Sequence, residues 1–229
     1  MRFTGALHRM CRRLIRFAFQ LLYNQLAFTY DAVAWLVSFG QWRAWGRTAL
    51  DRVRGPRVLE LGHGPGHLLI ALGRAGRCQP IGVDVSPHMI AQAQHRVRRA
   101  GLSIPQVRCR VEALPFRSGT FDSAVSTFPT EYIANPRTLA EVVRVTNEHG
   151  RLIVVMGAQF GQHTPGTRFV DWLYRITGRR EPSVEAEPDV FERLNLTAHV
   201  ETEVVGASTV TIVVAEKTTP DNTVAAAPD

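Results

Sequence analysis

Only one of the chain's 27 basic side chains is a lysine, Lys217; the rest are arginines. That bias reads as genome composition rather than function. Three cysteines, Cys11, Cys78 and Cys109, share no metal-type spacing. They read as isolated thiols in a reducing compartment and exclude a cysteine-built metal centre. The eight histidines contain no His-Glu-x-x-His arrangement, so no metal is expected. No apolar run reaches the roughly 18 residues of a membrane-spanning helix, because Gln20, Asn24, Gln25 and Asp31 interrupt residues 17 to 42. No small-residue cleavage pattern follows a compact apolar region, so no signal peptide is expected either.

What is present is unevenly placed. Residues 1–54 hold nine Arg and two Asp, a net of +7, which equals the formal charge of the whole chain. The same segment holds ten of the 19 aromatic residues. Leu7, Met10, Leu14, Phe17 and Leu21 recur at helical spacing, and Arg9, Arg12, Arg13 and Arg16 repeat on another face. Such a basic amphipathic helix can lie on an anionic membrane surface through residues 1–28. It can equally pack its apolar face on the rest of the protein or on a second subunit. Its aromatics follow a helix face rather than a stacking platform, so no nucleic acid is expected as partner.

The densest signal is Arg57-Val58-Leu59-Glu60-Leu61-Gly62-His63-Gly64-Pro65-Gly66-His67. A short apolar run carrying one acid breaks into three alternating glycines, and an apolar helical pattern follows. This reads as strand, tight turn, helix. Glycines there permit positive φ and close approach of a ligand, and the N–H groups of the new helix favour an electron-rich or anionic group. A second short segment, Pro80-Ile81-Gly82-Val83-Asp84, ends in an acid 18 residues after Gly66. In a parallel sheet that carboxylate lies beside the glycine turn, where it can accept both hydroxyls of a ribose. A dinucleotide-binding dehydrogenase would show Gly-x-Gly-x-x-Gly instead.

Taken in order, Glu60-x-Gly62-x-Gly64-x-Gly66, Gly82-Val83-Asp84-Val85-Ser86-Pro87-x-Met89, Glu112-Ala113-Leu114-Pro115-Phe116, Thr120-Phe121-Asp122 and Gly150-Arg151-Leu152-Ile153 resemble the class I S-adenosylmethionine-dependent methyltransferases, in particular their UbiE-like branch. The resemblance covers roughly residues 55 to 156. It implies an α/β Rossmann-like, doubly wound, mostly parallel seven-stranded sheet with a C-terminal antiparallel hairpin. An N-terminal helical extension would precede it.

Hydrophobic patterning places strands at 57–61, 79–84, 106–110, 121–127 and 150–156, and helices at 66–75, 87–101 and 136–147. Residues 198–205 and 208–216 read as the hairpin. The expected organisation is a basic, aromatic-rich extension or lid over 1–54 and a methyltransferase domain over 55–216. A lid insertion would occupy 157–196, and a tail 217–229. Both roof elements are aromatic-rich, which suits an apolar or aromatic acceptor.

The resemblance implies S-adenosyl-L-methionine as cofactor and assigns roles residue by residue. Glu60 fixes the turn or meets the methionyl amine. Gly62, His63, Gly64 and Gly66 form the turn, and Asp84 and Val85 flank the ribose. Met89 packs on the adenine or serves as a helix-core methionine. Val111, Glu112 and Ala113 lie by the adenine ring, and Thr127 faces the methyl group. Tyr30 is implied to reach the methionyl carboxylate, and Glu131 is the candidate general base. The family's usual aspartate after strand three is here Arg110, which cannot accept a hydrogen bond. Adenine recognition must therefore shift to Glu112 or to backbone groups. Thr127-Phe128-Pro129-Thr130 lacks the Asn/Asp-Pro-Pro-Tyr/Phe pattern of nucleic-acid amino-methyltransferases.

The function expected is methyl transfer to a small, apolar or lipid-like acceptor, a quinone or phenol precursor or a phospholipid amine. The enzyme would be cytoplasmic, with peripheral attachment at the inner membrane face as the option its arginines allow. The alternatives are a non-catalytic cofactor-binding regulator and, more remotely, a nucleic-acid methyltransferase. The sequence carries no signal for an oligomeric state.

Overall fold

A computed structural model describes residues 34–36, 38–160 and 194–217. The expected N-terminal amphipathic helix, Tyr30, the lid helix around 167–178 and the tail beyond 217 lie outside these residues. The elements run α1 (Trp42–Arg47), β1 (Arg57–Leu61), α2 (His67–Ala75), β2 (Gln79–Asp84), α3 (Pro87–Arg99), β3 (Gln106–Arg108), β4 (Phe121–Thr127), a 3-10 turn (Glu131–Ala134), α4 (Pro136–Val145), β5 (Thr146–Phe160), β6 (Leu196–Val205) and β7 (Ser208–Lys217).

The seven strands form one sheet in the order β3-β2-β1-β4-β5-β7-β6. Pairing is parallel from β3 through β5 and antiparallel at β5–β7 and β6–β7. This is the α/β, mostly parallel architecture expected, with its terminal antiparallel hairpin. Reversal of strand order between β1 and β4 opens a crevice at the carboxyl edge, the usual ligand position in such sheets.

Successive residues of the central strands feed two apolar layers, one on each face. Val58, Val125, Ile153 and Val155 pack with Leu68 and Leu72 of α2, whereas Leu59, Ala124, Leu152 and Val154 pack with Leu139, Val142 and Val145 of α4. Continuous apolar strands are what burial on both faces demands. Trp45 of α1 is also a core residue, and its indole N–H donates to Ser208 Oγ at 2.8 Å, tying α1 to the hairpin.

Several element ends differ from the sequence reading. α3 stops at Arg99 because Gly101 adopts φ +73°. β3 ends at Arg108, where its pairing with Asp84 of β2 stops. α4 ends at Val145, since the β-branched Thr146 turns its hydroxyl back to the Val142 carbonyl and begins β5. β5 is far longer than 150–156, because antiparallel pairing with β7 carries it to Phe160. Residues 157–160 are thus strand rather than lid. Lys217 belongs to β7 rather than to a tail: it pairs with Leu196, and its ammonium donates to the Thr146 carbonyl at 2.6 Å.

Candidate active site

The turn after β1 carries three glycines at positive φ: Gly62 (+63°), Gly64 (+51°) and Gly66 (+81°). They are glycine for different reasons. A Cβ on Gly62 would stand 2.6 Å from the Tyr132 hydroxyl, and one on Gly66 would stand 2.8 Å from Ala93 Cβ of α3. A Cβ on Gly64 would meet nothing within 4 Å. Of the three, Gly64 alone presents bare backbone to open space, so the ligand-facing role expected of the whole turn narrows to it.

Asp84, at the end of β2, is 8% exposed and locks the turn. Its Oδ2 accepts from the Gly64 N–H at 2.9 Å and its Oδ1 from the Ser86 N–H at 2.8 Å. Each oxygen keeps a further lone pair for a hydroxyl donor. Ser86 also caps α3 by accepting from the Met89 N–H. Met89 is fully buried, so its side chain is a core residue of α3. Val85 is 60% exposed beside the turn and offers an apolar surface there.

Glu60 is 1% exposed on the α2 face of β1. One oxygen accepts from the Leu69 N–H in the first turn of α2, while Oε2 has no hydrogen-bond partner. Burial, and secondarily the nearby Asp84 charge, hold this carboxyl well above the usual carboxylate range. An isolated buried carboxyl favours its neutral form until a cation arrives.

His63 is also buried. Its ring packs where a Cβ on Gly82 would stand 2.7 Å away, and its Nδ1 lies 2.8 Å from the Gly64 carbonyl. With Nδ1 assigned as donor from that contact, Nε2 is an acceptor without a partner. Burial lowers its pKa, with Asp84 opposing. His63 therefore braces the turn as a neutral ring.

A cavity of about 40 Å³ gathers Glu60, Gly62, His63, Gly64 and Thr127 of the expected residues. It also holds Trp42 and Phe128, which sequence reasoning missed as site residues. Phe128 follows β4 at φ +51°, an uncommon conformation for a bulky residue. Its N–H donates to the Val155 carbonyl at 2.7 Å, and its ring stacks on Trp42 with centroids 3.7 Å apart. Tyr132 was missed as well: its hydroxyl lies 2.7 Å from Ser126 Oγ, and both reach the Leu61 carbonyl, above Gly62. No local spacing announces these contacts.

The remaining expected residues lie outside this cavity. Val111 is buried in the α4-side core. Arg110, in the place of the family's aspartate, turns its guanidinium to Glu112 at 3.1 Å. Ala113 is exposed, its N–H bonded to the Arg110 carbonyl. Glu131 opens the 3-10 turn, but its side chain falls outside what the structure describes. Among the described residues no three His, Cys, Asp or Glu converge as metal ligands.

This constellation fits a sulfonium cofactor bearing a ribose and a cationic amine: a ribose-type acceptor in Asp84, bare backbone at Gly64 and an orphaned buried carboxyl oxygen in Glu60. Residues 58–150 match the model of a methyltransferase domain family. Over that stretch the chain is similar to the class I S-adenosylmethionine-dependent methyltransferases of the UbiE-like branch. It is 33% identical over 139 residues to a demethylmenaquinone methyltransferase of Thermus thermophilus, covering 58% of this chain and 63% of that protein. That span is just under two thirds of the Thermus enzyme. A demethylmenaquinone methyltransferase of Mycobacterium tuberculosis is 28% identical over 178 residues, 76% of this chain and 73% of its own length. The fold superposes on an S-adenosylmethionine-dependent methyltransferase structure from Methanococcus maripaludis with a TM-score of 0.64 at 19% identity, covering 87% of this chain and 96% of that one. The mostly parallel sheet with its antiparallel hairpin, the glycine turn and the β2 acid that the resemblance implied are all present in this chain. The cofactor of the family is S-adenosylmethionine.

Proposed function

We propose that this methyltransferase transfers the methyl group of S-adenosylmethionine to a quinone-related, apolar acceptor. One observation carries the reading. The orphaned Glu60 oxygen and the open Gly64 share a cavity with the stacked Trp42 and Phe128. A cation-seeking group and an apolar aromatic pair therefore line one cavity, which is where the reading puts the methyl transfer.

When bound, the cofactor supplies an activated methyl group on a sulfonium leaving group. The protein's task is then alignment and exclusion of water. Asp84 takes the ribose hydroxyls. Glu60 gives up its proton and faces the methionyl amine. Gly64 lets the cofactor lie against the backbone. The Trp42–Phe128 wall seats a planar ring. Tyr30 is assigned to the methionyl carboxylate on the strength of the family resemblance, and Glu131 to general-base duty on its position after β4, where the acceptor approaches the sulfonium. Glu112, drawn to Arg110, leaves adenine recognition to the backbone after β3 and to the apolar Val85.

The relatives named for methylating demethylmenaquinone support a quinone-type ring. The wall bears Arg43 and Arg47 nearby, which disfavours a cationic phospholipid amine as acceptor. Among the described residues no helix is long and apolar enough to cross a membrane. Attachment to an anionic inner-face surface through residues 1–28 is proposed as peripheral on the basic amphipathic pattern of that segment. Calorimetry with S-adenosylmethionine tests the donor. Asp84→Ala should weaken binding about 100-fold, the loss of two charge-assisted hydrogen bonds. No binding by the unaltered chain would end the enzyme reading. Methyl transfer to a demethylated naphthoquinol tests the acceptor; donor binding without transfer to any quinol or phenol would favour a regulatory protein.

A further inference from the structure

Beside the small cavity lies a larger cleft of about 580 Å³. Three helices contribute to it, and each directs arginines at it: Arg43 and Arg47 from α1, Arg74 from α2, and Arg96 and Arg99 from α3. His67 and His95 line it too, and no aspartate or glutamate is among its described lining residues. The arrangement follows from helical spacing. Gln92, His95, Arg96 and Arg99 stand at i, i+3, i+4 and i+7, which is one face of α3, and Arg43 and Arg47 stand one turn apart on α1.

Helix C-termini favour cations, which accounts singly for Arg74, Arg96 and Arg99 in their last turns. It does not account for three helices converging on one hollow. Arginines elsewhere meet carboxylates: Arg52 sits 2.7 Å from both Glu201 and Glu203, and Arg144 sits 2.7 Å from Glu141. Arg47, Arg74 and Arg99 make no such contact with a described carboxylate, and the charged residues among the cleft's described lining are all basic, a concave arrangement that focuses positive potential inward. Guanidinium forks match phosphate oxygens in pairs. Arg96 also donates to the Pro65 carbonyl at 3.2 Å, so the cleft is braced against the glycine turn.

We propose that this cleft binds a phosphate-bearing anion, a phosphate or diphosphate group held between α1, α2 and α3. Its volume accommodates such a group with part of its carrier. Trp42, Leu68, Thr127 and Phe128 line both cavities, so the anion sits beside the methyl-transfer site. The proposal does not depend on which acceptor is methylated. The anion can come from a soluble phosphate ester or from a phospholipid headgroup.

The full chain is titrated with inorganic pyrophosphate by calorimetry at about 0.15 M salt. It is also sedimented with phosphatidylglycerol and with phosphatidylcholine vesicles. The combined variant Arg47→Gln, Arg74→Gln, Arg99→Gln should weaken whichever anionic ligand binds by about tenfold or more. The control variant Arg9→Gln, Arg12→Gln, Arg13→Gln should leave pyrophosphate binding unchanged. Affinity for S-adenosylmethionine should be retained in the cleft variant, which separates failure here from failure of the methyltransferase reading. If the combined variant does not fold, Arg99→Gln alone should still weaken binding about threefold. Pyrophosphate binding lost in the cleft variant assigns a soluble ester. Binding to phosphatidylglycerol alone, lost in the same variant, assigns a headgroup. Binding of neither, or equal binding by the unaltered and cleft-variant chains, overturns the proposal.

Discussion

The turns after β1 and β4 both leave the sheet at its carboxyl edge with positive φ, but they reach it with opposite residue types. The β1 turn uses Gly62, Gly64 and Gly66, for which φ between +51° and +81° carries no Cβ penalty. The β4 turn uses Phe128 at +51°, a conformation costing about 1–2 kcal/mol. A 2.7 Å hydrogen bond to the Val155 carbonyl and the stack on Trp42 offset that cost. The donor side is thus shaped by local covalent structure, and the acceptor side by packing between segments 86 positions apart in sequence, Trp42 and Phe128. A backbone-built turn tolerates little change in identity. A packing-built one can change its side chains while keeping its place, which suits the side proposed to seat the acceptor.

The most severe challenge to this contrast lies within the glycine turn. Gly66→Ala adds a Cβ 2.8 Å from Ala93 at φ +81°. Overpacking and left-handed strain together should cost about 2–4 kcal/mol in urea unfolding. Gly64→Ala meets open space and should cost only the strain, about 1–2 kcal/mol. Its larger effect should fall on S-adenosylmethionine affinity, since its Cβ would occupy the ligand's side. Equal stability losses would erase the distinction between a packing glycine and a ligand-facing one.

Glu60 sharpens the donor side. Its carboxyl is raised well above the usual carboxylate range, chiefly by burial, which favours its protonated form in the free protein. A cationic amine beside Oε2 favours the carboxylate, so cofactor binding expels a proton and affinity rises with pH. The slope is at most tenfold per pH unit, about 1.4 kcal/mol. Calorimetry in buffers of different ionisation enthalpy should show up to one proton released, and Glu60→Gln should show none. Equal release by the variant would mean that Oε2 does not face the cation.

What the sequence made legible follows the same division. The strand edges at 57–61, 79–84 and 121–127, the glycine turn and Asp84 were readable because each depends on residues close in sequence. The far end of β5 was misplaced because pairing with β7, some 60 residues later, sets its length, and the end of α4 because Thr146 turns its hydroxyl back to Val142 and begins β5. Trp42, Phe128 and Tyr132 were missed because nothing in their spacing records a stack or a contact over Gly62. Arg110 was legible as a departure, but its turn toward Glu112 was not.

The acceptor wall can be probed by a double-mutant cycle. Trp42→Ala and Phe128→Ala should couple by about 1 kcal/mol, the usual worth of a stacked aromatic pair beyond its burial. Urea unfolding of the four proteins measures it. Additive losses would mean that the two rings share a wall without supporting each other, and the strain at Phe128 would need another source of support.

The smallest expected effect returns to the donor turn. With Nδ1 assigned as the donor, His63 donates a hydrogen bond to the Gly64 carbonyl, and its buried Nε2 has no hydrogen-bond partner. Protonation would add a second buried donor with no partner, so burial lowers its pKa in the fold while Asp84 pulls the other way. The unfolded ring titrates near its ordinary value of about 6.5. Between the lowered folded value and that point the unfolded chain binds more protons, so stability rises with pH through this window. The contribution is complete above about pH 6.5 and is lost as the pH falls below it. Urea midpoints between about pH 5 and pH 7.5 should therefore climb more steeply for the unaltered chain than for His63→Gln, whose amide can still donate to Gly64. An identical slope in both would remove His63 from the acid response and leave the turn held by the glycines and Asp84 alone.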